Sequence, residues 1–210
     1  DSDYLELLAG VEFALPALGT SLQSRSSSEQ LRTAPGSSFI GNFVVLKTAL
    51  DPSRPNELVG DDANNTAFGL GGDDIIIGNG GNDTLSGNGG NDIISGGLGN
   101  DLLFGGKGDD NLSGGEGDDT LIGGLGADLL ISGAGRDVLV LRAGAGTATI
   151  VDFQQGQDLI GLSRGLTFNQ LKLNQGEVST TIEIASNGQI LANLPGLRRS
   201  PLTASDFITI

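Results

Sequence analysis

Residues 69–140 read GLGGDDIII (69–77), GNGGNDTLS (78–86), GNGGNDIIS (87–95), GGLGNDLLF (96–104), GGKGDDNLS (105–113), GGEGDDTLI (114–122), GGLGADLLI (123–131) and SGAGRDVLV (132–140). The period is nine residues and is never broken. The sixth position is always aspartate: Asp74, Asp83, Asp92, Asp101, Asp110, Asp119, Asp128 and Asp137. The eighth is always Leu or Ile, from Ile76 and Leu85 to Leu130 and Leu139. Glycine fills most of the first half of each copy, where the chain must turn through conformations closed to other residues. The last three residues alternate inward and outward as a short strand does. A turn and a strand every nine residues make half a coil, so two copies complete one. The expected fold is all-β: a parallel β-roll of about 18 residues per coil, with a thin Leu/Ile core and a β-rich C-terminal cap.

Stacked coils place residues i and i+18 above one another at the strand spacing of about 4.8 Å. Two columns of carboxylates follow. One holds Asp74, Asp92, Asp110 and Asp128, the other Asp83, Asp101, Asp119 and Asp137. Residues 69–140 carry 12 acids against 2 bases, so −10 of the chain's net −15 sits there. Carboxylates stacked so closely repel unless cations lie between them. Calcium suits such gaps, because it takes six to eight oxygen ligands in flexible geometry and accepts backbone carbonyls. Four aspartates per column enclose three gaps, and two columns give six sites, hence about six ions. The natural carbonyl donors lie in the glycine turns, with those of Gly72, Gly81, Gly90, Gly99, Gly108, Gly117, Gly126 and Gly135 as candidates. A flexible glycine linker would have no reason to keep an aliphatic residue in phase with aspartate over eight copies.

The repeat GGxGxDxUx, as it stands in these copies, resembles the calcium-binding nonapeptide repeat of the RTX (repeats-in-toxin, hemolysin-type) family. The resemblance implies a calcium-bound parallel β-roll. It also implies export by a type I system that reads an uncleaved C-terminal signal, followed by folding where calcium is plentiful. The ending Asp206-Phe207-Ile208-Thr209-Ile210, an acid followed by apolar residues, is similar to the endings of several exported relatives. After Val140 the frame breaks, and ATIVDF with GQDLIGL resembles the segment that follows the repeats in many such proteins, including those of cyanobacteria. RTX rolls often follow proteases, lipases or epimerases. The chain therefore has a second reading, as the C-terminal module of a larger secreted hydrolase.

Composition narrows the chemistry. The chain has 210 residues, no Cys and no His, which removes disulfides, thiol chemistry, Ser-His-Asp triads and histidine-containing zinc sites. No catalytic constellation is legible, so the chain is not expected to be an enzyme. Lys107 lies between Gly106 and Gly108, where a P-loop lysine would be followed by Ser or Thr. A net charge of −15 argues against nucleic acid or anionic membrane as partner. No apolar run is long enough for a membrane-spanning helix. Calcium sites of the extracellular class bind at roughly 10⁻⁴–10⁻³ M, so the repeat points outside the cell, secreted or on its surface. Methionine is absent, position 1 included, and the chain is expected to be processed or part of a longer one.

Three regions are expected. Residues 1–58 form an N-terminal segment with a short helix near 4–13 (Tyr4, Leu8 and Val11 share a helical face), a polar linker over 22–36 and a strand over 39–46 that covers the first coil. Residues 59–143 form the roll, with 60–68 as a degenerate capping half-coil carrying Asn65 where aspartate would stand. Residues 144–210 form the cap, with strands in LTFNQLKL, STTIEIA and QILANL and an Asn187-Gly188 type I′ hairpin. Asp152 and Asp158 are read as buried or turn carboxylates in preference to ligands. On one outer face Leu102, Phe104, Ile122, Val138 and Val140 would form an apolar patch, so that face is expected to be covered by a flanking segment or by self-association. The irregular outward seventh positions, among them Asn111 and Leu129, exclude the flat threonine rank that ice binding needs.

Overall fold

The computed structural model describes residues 45–46, 54–197 and 201–210. Seventeen strands are described. They are β1 Val45–Leu46, β2 Glu57–Val59, β3 Thr66–Phe68, β4 Ile75–Gly80, β5 Thr84–Gly89, β6 Ile93–Leu98, β7 Leu102–Lys107, β8 Asn111–Glu116, β9 Thr120–Leu125, β10 Ala127–Ala134, β11 Val138–Arg142, β12 Thr147–Ile150, β13 Leu159–Ser163, β14 Leu171–Gln175, β15 Ser179–Ile184, β16 Ile190–Pro195 and β17 Phe207–Thr209. The helix expected over 4–13, the linker over 22–36 and residues 39–44 of the expected covering strand lie outside the described residues. The remaining pair, Val45–Leu46, adds antiparallel to β2 at the start of the roll.

Alternate repeats feed alternate sheets, as a period of half a coil requires. One sheet runs β1-β2-β4-β6-β8-β10-β12-β16-β15-β14 and the other β17-β13-β11-β9-β7-β5-β3. Within the repeats neighbours pair in parallel, each residue facing its equivalent two copies on: Ile75 faces Ile93, Ile93 faces Asn111, and Leu102 faces Thr120. The fold is thus the all-β parallel β-roll expected. The eighth positions meet between the sheets, and Ile76, Leu85, Ile94, Leu103, Leu112, Leu121, Leu130 and Leu139 are each at most 1% exposed. One aliphatic side chain per half-coil fills the gap. Such a narrow core offsets chain entropy only weakly.

The nine-residue frame extends one copy further towards the N-terminus than the degenerate half-coil at 60–68. In 51–59, DPSRPNELV, Leu58 takes the buried eighth position and β2 pairs with β4 in the register of the repeats. Beyond the repeats the offset lengthens, so that Ala127 faces Thr147 and Val138 faces Leu159. The cap then completes both sheets. An antiparallel meander β14-β15-β16 closes one, and β17 pairs in parallel with β13 at the edge of the other. The segment expected as one strand, LTFNQLKL, divides into a 3-10 turn at Phe168–Gln170 and strand β14. The Asn187-Gly188 hairpin is not type I′. Only Gly188 has positive φ (71°), and its N–H donates to the Ile184 carbonyl (2.8 Å), which makes a wider loop.

Of the apolar residues on the outer face of the β7-containing sheet, Phe104 and Val140 are buried, at 8% and 7% exposure. The opposite sheet leaves Ile75 and Ile93 exposed.

Candidate metal centre

Each turn is built around the aspartate at position six, and its two oxygens have different fates. The backbone N–H of each column aspartate donates to the Oδ1 of the column aspartate one coil on. The distances are 2.8 Å for Asp74 to Asp92, 2.7 Å for Asp83 to Asp101, 2.9 Å for Asp92 to Asp110 and 2.8 Å for Asp101 to Asp119. Asp110 to Asp128 (3.1 Å) and Asp119 to Asp137 (2.9 Å) complete the ladder. Every one of these aspartates is buried. The second oxygen, Oδ2, has no hydrogen-bond partner in Asp74, Asp83, Asp92, Asp101, Asp110, Asp119 and Asp137. A buried carboxylate oxygen left unpaired is costly. Seven in one small fold call for a common physical cause.

The surroundings of those oxygens are shaped by the first-position glycines. A Cβ built on Gly78 would lie 2.0 Å from Asp83 Oδ2 and 2.5 Å from the Gly96 carbonyl. On Gly105 it would lie 2.3 Å from Asp110 Oδ2 and 2.5 Å from the Gly123 carbonyl. Gly69, Gly96 and Gly114 repeat the pattern with the carbonyls of Gly87, Gly114 and Ser132. An orphaned carboxylate oxygen and a main-chain carbonyl of the next coil therefore converge on a space that only glycine leaves open. Among the described residues no three His, Cys, Asp or Glu side chains gather at one point. A cation there would be held by carboxylates of successive coils together with carbonyls. Such an all-oxygen set fits calcium.

The fourth-position glycines Gly72, Gly81, Gly90, Gly99, Gly108, Gly117, Gly126 and Gly135 sit in the same turns, with φ from +94° to +143°. The carbonyls of Gly72, Gly81, Gly90, Gly99, Gly108 and Gly117 lie 1.9–2.1 Å from where a Cβ on the equivalent glycine of the next coil would be. The Gly126 carbonyl accepts from the Thr147 N–H (2.9 Å) and that of Gly135 from Gln157 Nε2, so the cap engages both. The carbonyls that converge with Oδ2 are those of position one. Their legible signal was glycine at that position in seven of the eight copies.

Position five carries a second ladder that reading the repeat as GGxGxD passes over. The Oδ1 of Asn64, Asp73, Asn82, Asn91, Asn100, Asp109 and Asp118 accepts the N–H of the equivalent residue one coil later, at 2.7–2.9 Å. Position six thus ties each coil to the one before and position five to the one after. Asn or Asp fills position five until Ala127 and Arg136, where no repeat follows. Arg136 instead bonds Asp118 Oδ2 through its guanidinium (2.9 Å). Asn91→Ala is expected to lower urea stability at saturating calcium by about 0.5–1.5 kcal/mol. Asn91→Asp keeps the acceptor and should change it less. Equal losses would show that the ladder contributes nothing.

The columns end in asparagine and in the cap. Asn56 and Asn65 stand one coil before Asp74 and Asp83, each donating its N–H to the aspartate's Oδ1 at 2.6 Å. Asp152 accepts from the Ser132 N–H and hydroxyl and from the Gly133 N–H. Asp158, fully buried, accepts from the N–H groups of Asp137 (3.3 Å) and Gln154 (2.7 Å).

Burial pushes the column carboxyls upward. Asp110 and Asp119 reach about 7, and Asp92, Asp101 and Asp128 about 6, against the ordinary 3.8. Removal from water is the largest cause in each. Backbone N–H groups pull the other way, and neighbouring aspartates of the column add repulsion in most.

Residues 55–148 match the family model of the RTX calcium-binding nonapeptide repeat, in overlapping stretches 55–85, 77–112, 86–121, 104–139 and 113–148. Fold and site together define an RTX β-roll, with repeats of the calcium-binding type; the roll is not itself catalytic. The match spans nearly half of the chain's length and all of its repeats. Similar solved structures include the extracellular lipase LipA of Serratia marcescens, at 17% identity and a TM-score of 0.35, over 74% of this chain and 40% of that one. Two subunits of an Azotobacter vinelandii mannuronan C5-epimerase, AlgE6R2 and AlgE6R3, are also similar. AlgE6R2 matches at 24% identity and a TM-score of 0.30, over 76% of this chain and 94% of that one. AlgE6R3 matches at 23% identity and a TM-score of 0.29, over 79% of this chain and 84% of that one. No curated protein matches the chain. Among the described residues no helix is long and apolar enough to cross a membrane.

Proposed function

We propose that this chain is a secreted or cell-surface calcium-binding protein whose β-roll folds as it takes up calcium outside the cell. The observation that carries the reading is the set of seven buried Asp Oδ2 atoms without partners, ranked in two columns, five of them beside carbonyls of the following coil. Bound there, calcium would supply hard divalent charge for oxygen donors that water cannot reach. Six gaps are bounded on both sides by repeat aspartates: three from Asp74 to Asp128 and three from Asp83 to Asp137.

Metal-free, the same residues oppose folding. The roll would bury carboxylates against one another and gain only one aliphatic side chain per half-coil, too little to offset the ordering of two whole repeats per turn. Binding free energy then becomes folding free energy. Low cytosolic calcium keeps such a chain unfolded, the form that a type I exporter of the kind implied by the repeats would pass. The C-terminal residues read as its signal end as strand β17, paired with β13, in the folded chain.

Circular dichroism during a calcium titration tests this. In excess EDTA at pH 7.5 the β signal of the roll should be lost, and it should return cooperatively with calcium. Magnesium should restore little, because it demands near-octahedral geometry and releases its waters reluctantly. Full β-structure persisting in EDTA at that pH would overturn the reading.

A further inference from the structure

We propose that Asn79-Gly80 and Asn88-Gly89 are sites of covalent modification gated by the metal state of the roll: metal loss lets them deamidate, and the product cannot re-enter the coil. The inference rests on the calcium reading above and sets a limit on it, the time for which a metal-free chain keeps its capacity to fold. Position two of the repeat is Gly97, Gly106, Gly115, Gly124 and Gly133 in the later copies, but Asn79 and Asn88 in the second and third. Each of those asparagines is followed by glycine, and neither belongs to the aspartate columns. A third pair, Asn187-Gly188, lies in the cap, outside the repeats.

The chemistry needs no co-reactant but water. The backbone nitrogen of the glycine attacks Cγ of the asparagine. An N–Cγ bond forms, the Cγ–Nδ2 bond breaks, and ammonia leaves with the proton of the attacking N–H. Water then opens the five-membered imide at either carbonyl. One opening gives aspartate. The other gives isoaspartate, in which the main chain runs through Cγ and is one carbon longer. Glycine in second place has no side chain to obstruct the attack.

In the roll, stacking blocks this reaction. Ring closure requires the asparagine carbonyl to swing about ψ until Cγ meets the next nitrogen. Asn79 and Asn88 are held in the left-handed region, at φ 78° and 71°, which asparagine tolerates. They face Gly97 and Gly106 of the following coil. Even a Cβ on either glycine would collide with the carbonyl oxygen of the asparagine it faces, so those carbonyls have no room to turn. The preceding coil grips Asn79 further. Its Nδ2 donates to the Gly60 carbonyl (2.7 Å), and the Gly80 N–H to that of Asp61 (3.2 Å). Asn88 has no such side-chain tether among the described residues. The equivalent carbonyl, that of Gly69, accepts from Asn56 Nδ2 (3.2 Å) instead. Asn88 is therefore the weaker point of the folded roll. Isoaspartate at either place lengthens one copy where an unbroken period is what stacks coil on coil, so the modified chain cannot rebuild the turns on either side.

Both pairs sit in the same six residues, GNGGND at 78–83 and at 87–92, so any difference in their rates comes from the fold. The full chain is incubated at about pH 8 in excess calcium and in excess EDTA, and tandem mass spectrometry counts aspartate and isoaspartate at 79 and 88. In EDTA the two should react at equal rates. In calcium both should slow by about tenfold or more, because reaction then waits on local opening, with Asn88 ahead of Asn79. Rates unchanged by calcium, in a chain whose dichroism shows that calcium folds it, would overturn the proposal, as would Asn79 level with or ahead of Asn88. A chain that calcium does not fold would instead overturn the underlying reading. The double variant Asn79→Gly, Asn88→Gly carries at position two the residue of the later copies and should fold. After prolonged EDTA, calcium should restore the roll in this variant but not in the modified fraction of the wild type. Equal recovery of the two would show that the product re-enters the coil, against the proposal.

Discussion

Gly105→Ala is expected to abolish the central calcium site and to destabilise the calcium-loaded roll by about 3 kcal/mol or more, the upper range for forcing atoms into a packed interior. The added methyl would lie 2.3 Å from Asp110 Oδ2 and 2.5 Å from the Gly123 carbonyl, the two oxygens that converge there. Gly105 is not in the left-handed region, so alanine's backbone preference cannot account for the loss. A turn glycine of the cap gives the contrast. Gly188 has φ +71°, and a Cβ built on it meets nothing within 4 Å. Asparagine tolerates that region. Gly188→Asn should therefore cost under about 1 kcal/mol and leave the number of bound ions unchanged. Urea unfolding at saturating calcium, with calorimetric counting, separates the two. Wild-type stoichiometry in Gly105→Ala would refute the oxygen cradle.

The second large effect is one of pH, with opposite signs with and without calcium. In the metal-free roll Asp110 and Asp119 titrate near 7 and Asp92, Asp101 and Asp128 near 6, all above the 3.8 of an exposed carboxyl. The folded form therefore binds more protons than the unfolded form, and its stability falls as pH rises. The contribution is fully present below pH 4 and is lost as pH climbs through 6 to 7. Moving one carboxyl from 3.8 to about 6 corresponds to about 3 kcal/mol at neutral pH, and several do so together. In EDTA, then, acidification to pH 4 should recover β-structure that is absent at pH 8. In calcium the protons compete for the same oxygens, so apparent affinity should fall below pH 7. Far-UV dichroism against pH, in EDTA and in calcium, reads both arms. A metal-free chain that stays equally unfolded at pH 4 and pH 8 would show that carboxylate burial is not what opposes folding.

Much of this molecule is legible in its sequence because a solenoid converts period into space. A nine-residue repeat can stack in few ways, so Asp74 above Asp92 and Leu85 above Leu103 follow from counting, and the buried core is the eighth-position rank read from the chain. The same counting reached Asn65 as the half-coil before Asp83. It stopped short of Asn56, because 51–59 retains only its Asn, its Leu and its strand. Position five was passed over for a different reason. Asn and Asp are interchangeable there as acceptors of one N–H, so the rank looks variable in letters while being constant in chemistry.

What the tertiary structure alone decided is how each carboxylate divides its oxygens. Composition could show that the columns need cations; only the coil-to-coil distances show that Oδ1 goes to an N–H of the preceding coil and Oδ2 is left beside a first-position carbonyl. The cap was likewise beyond period counting. Its longer offsets arise where β12 and β13 must still pair with strands of the roll while their connections carry extra turns. Asp152 and Asp158 both lie in the turn between β12 and β13, which brings them within reach of N–H groups of the last repeat. Sequence set the columns, since they follow from periodicity; contacts between segments of unequal length set their ends.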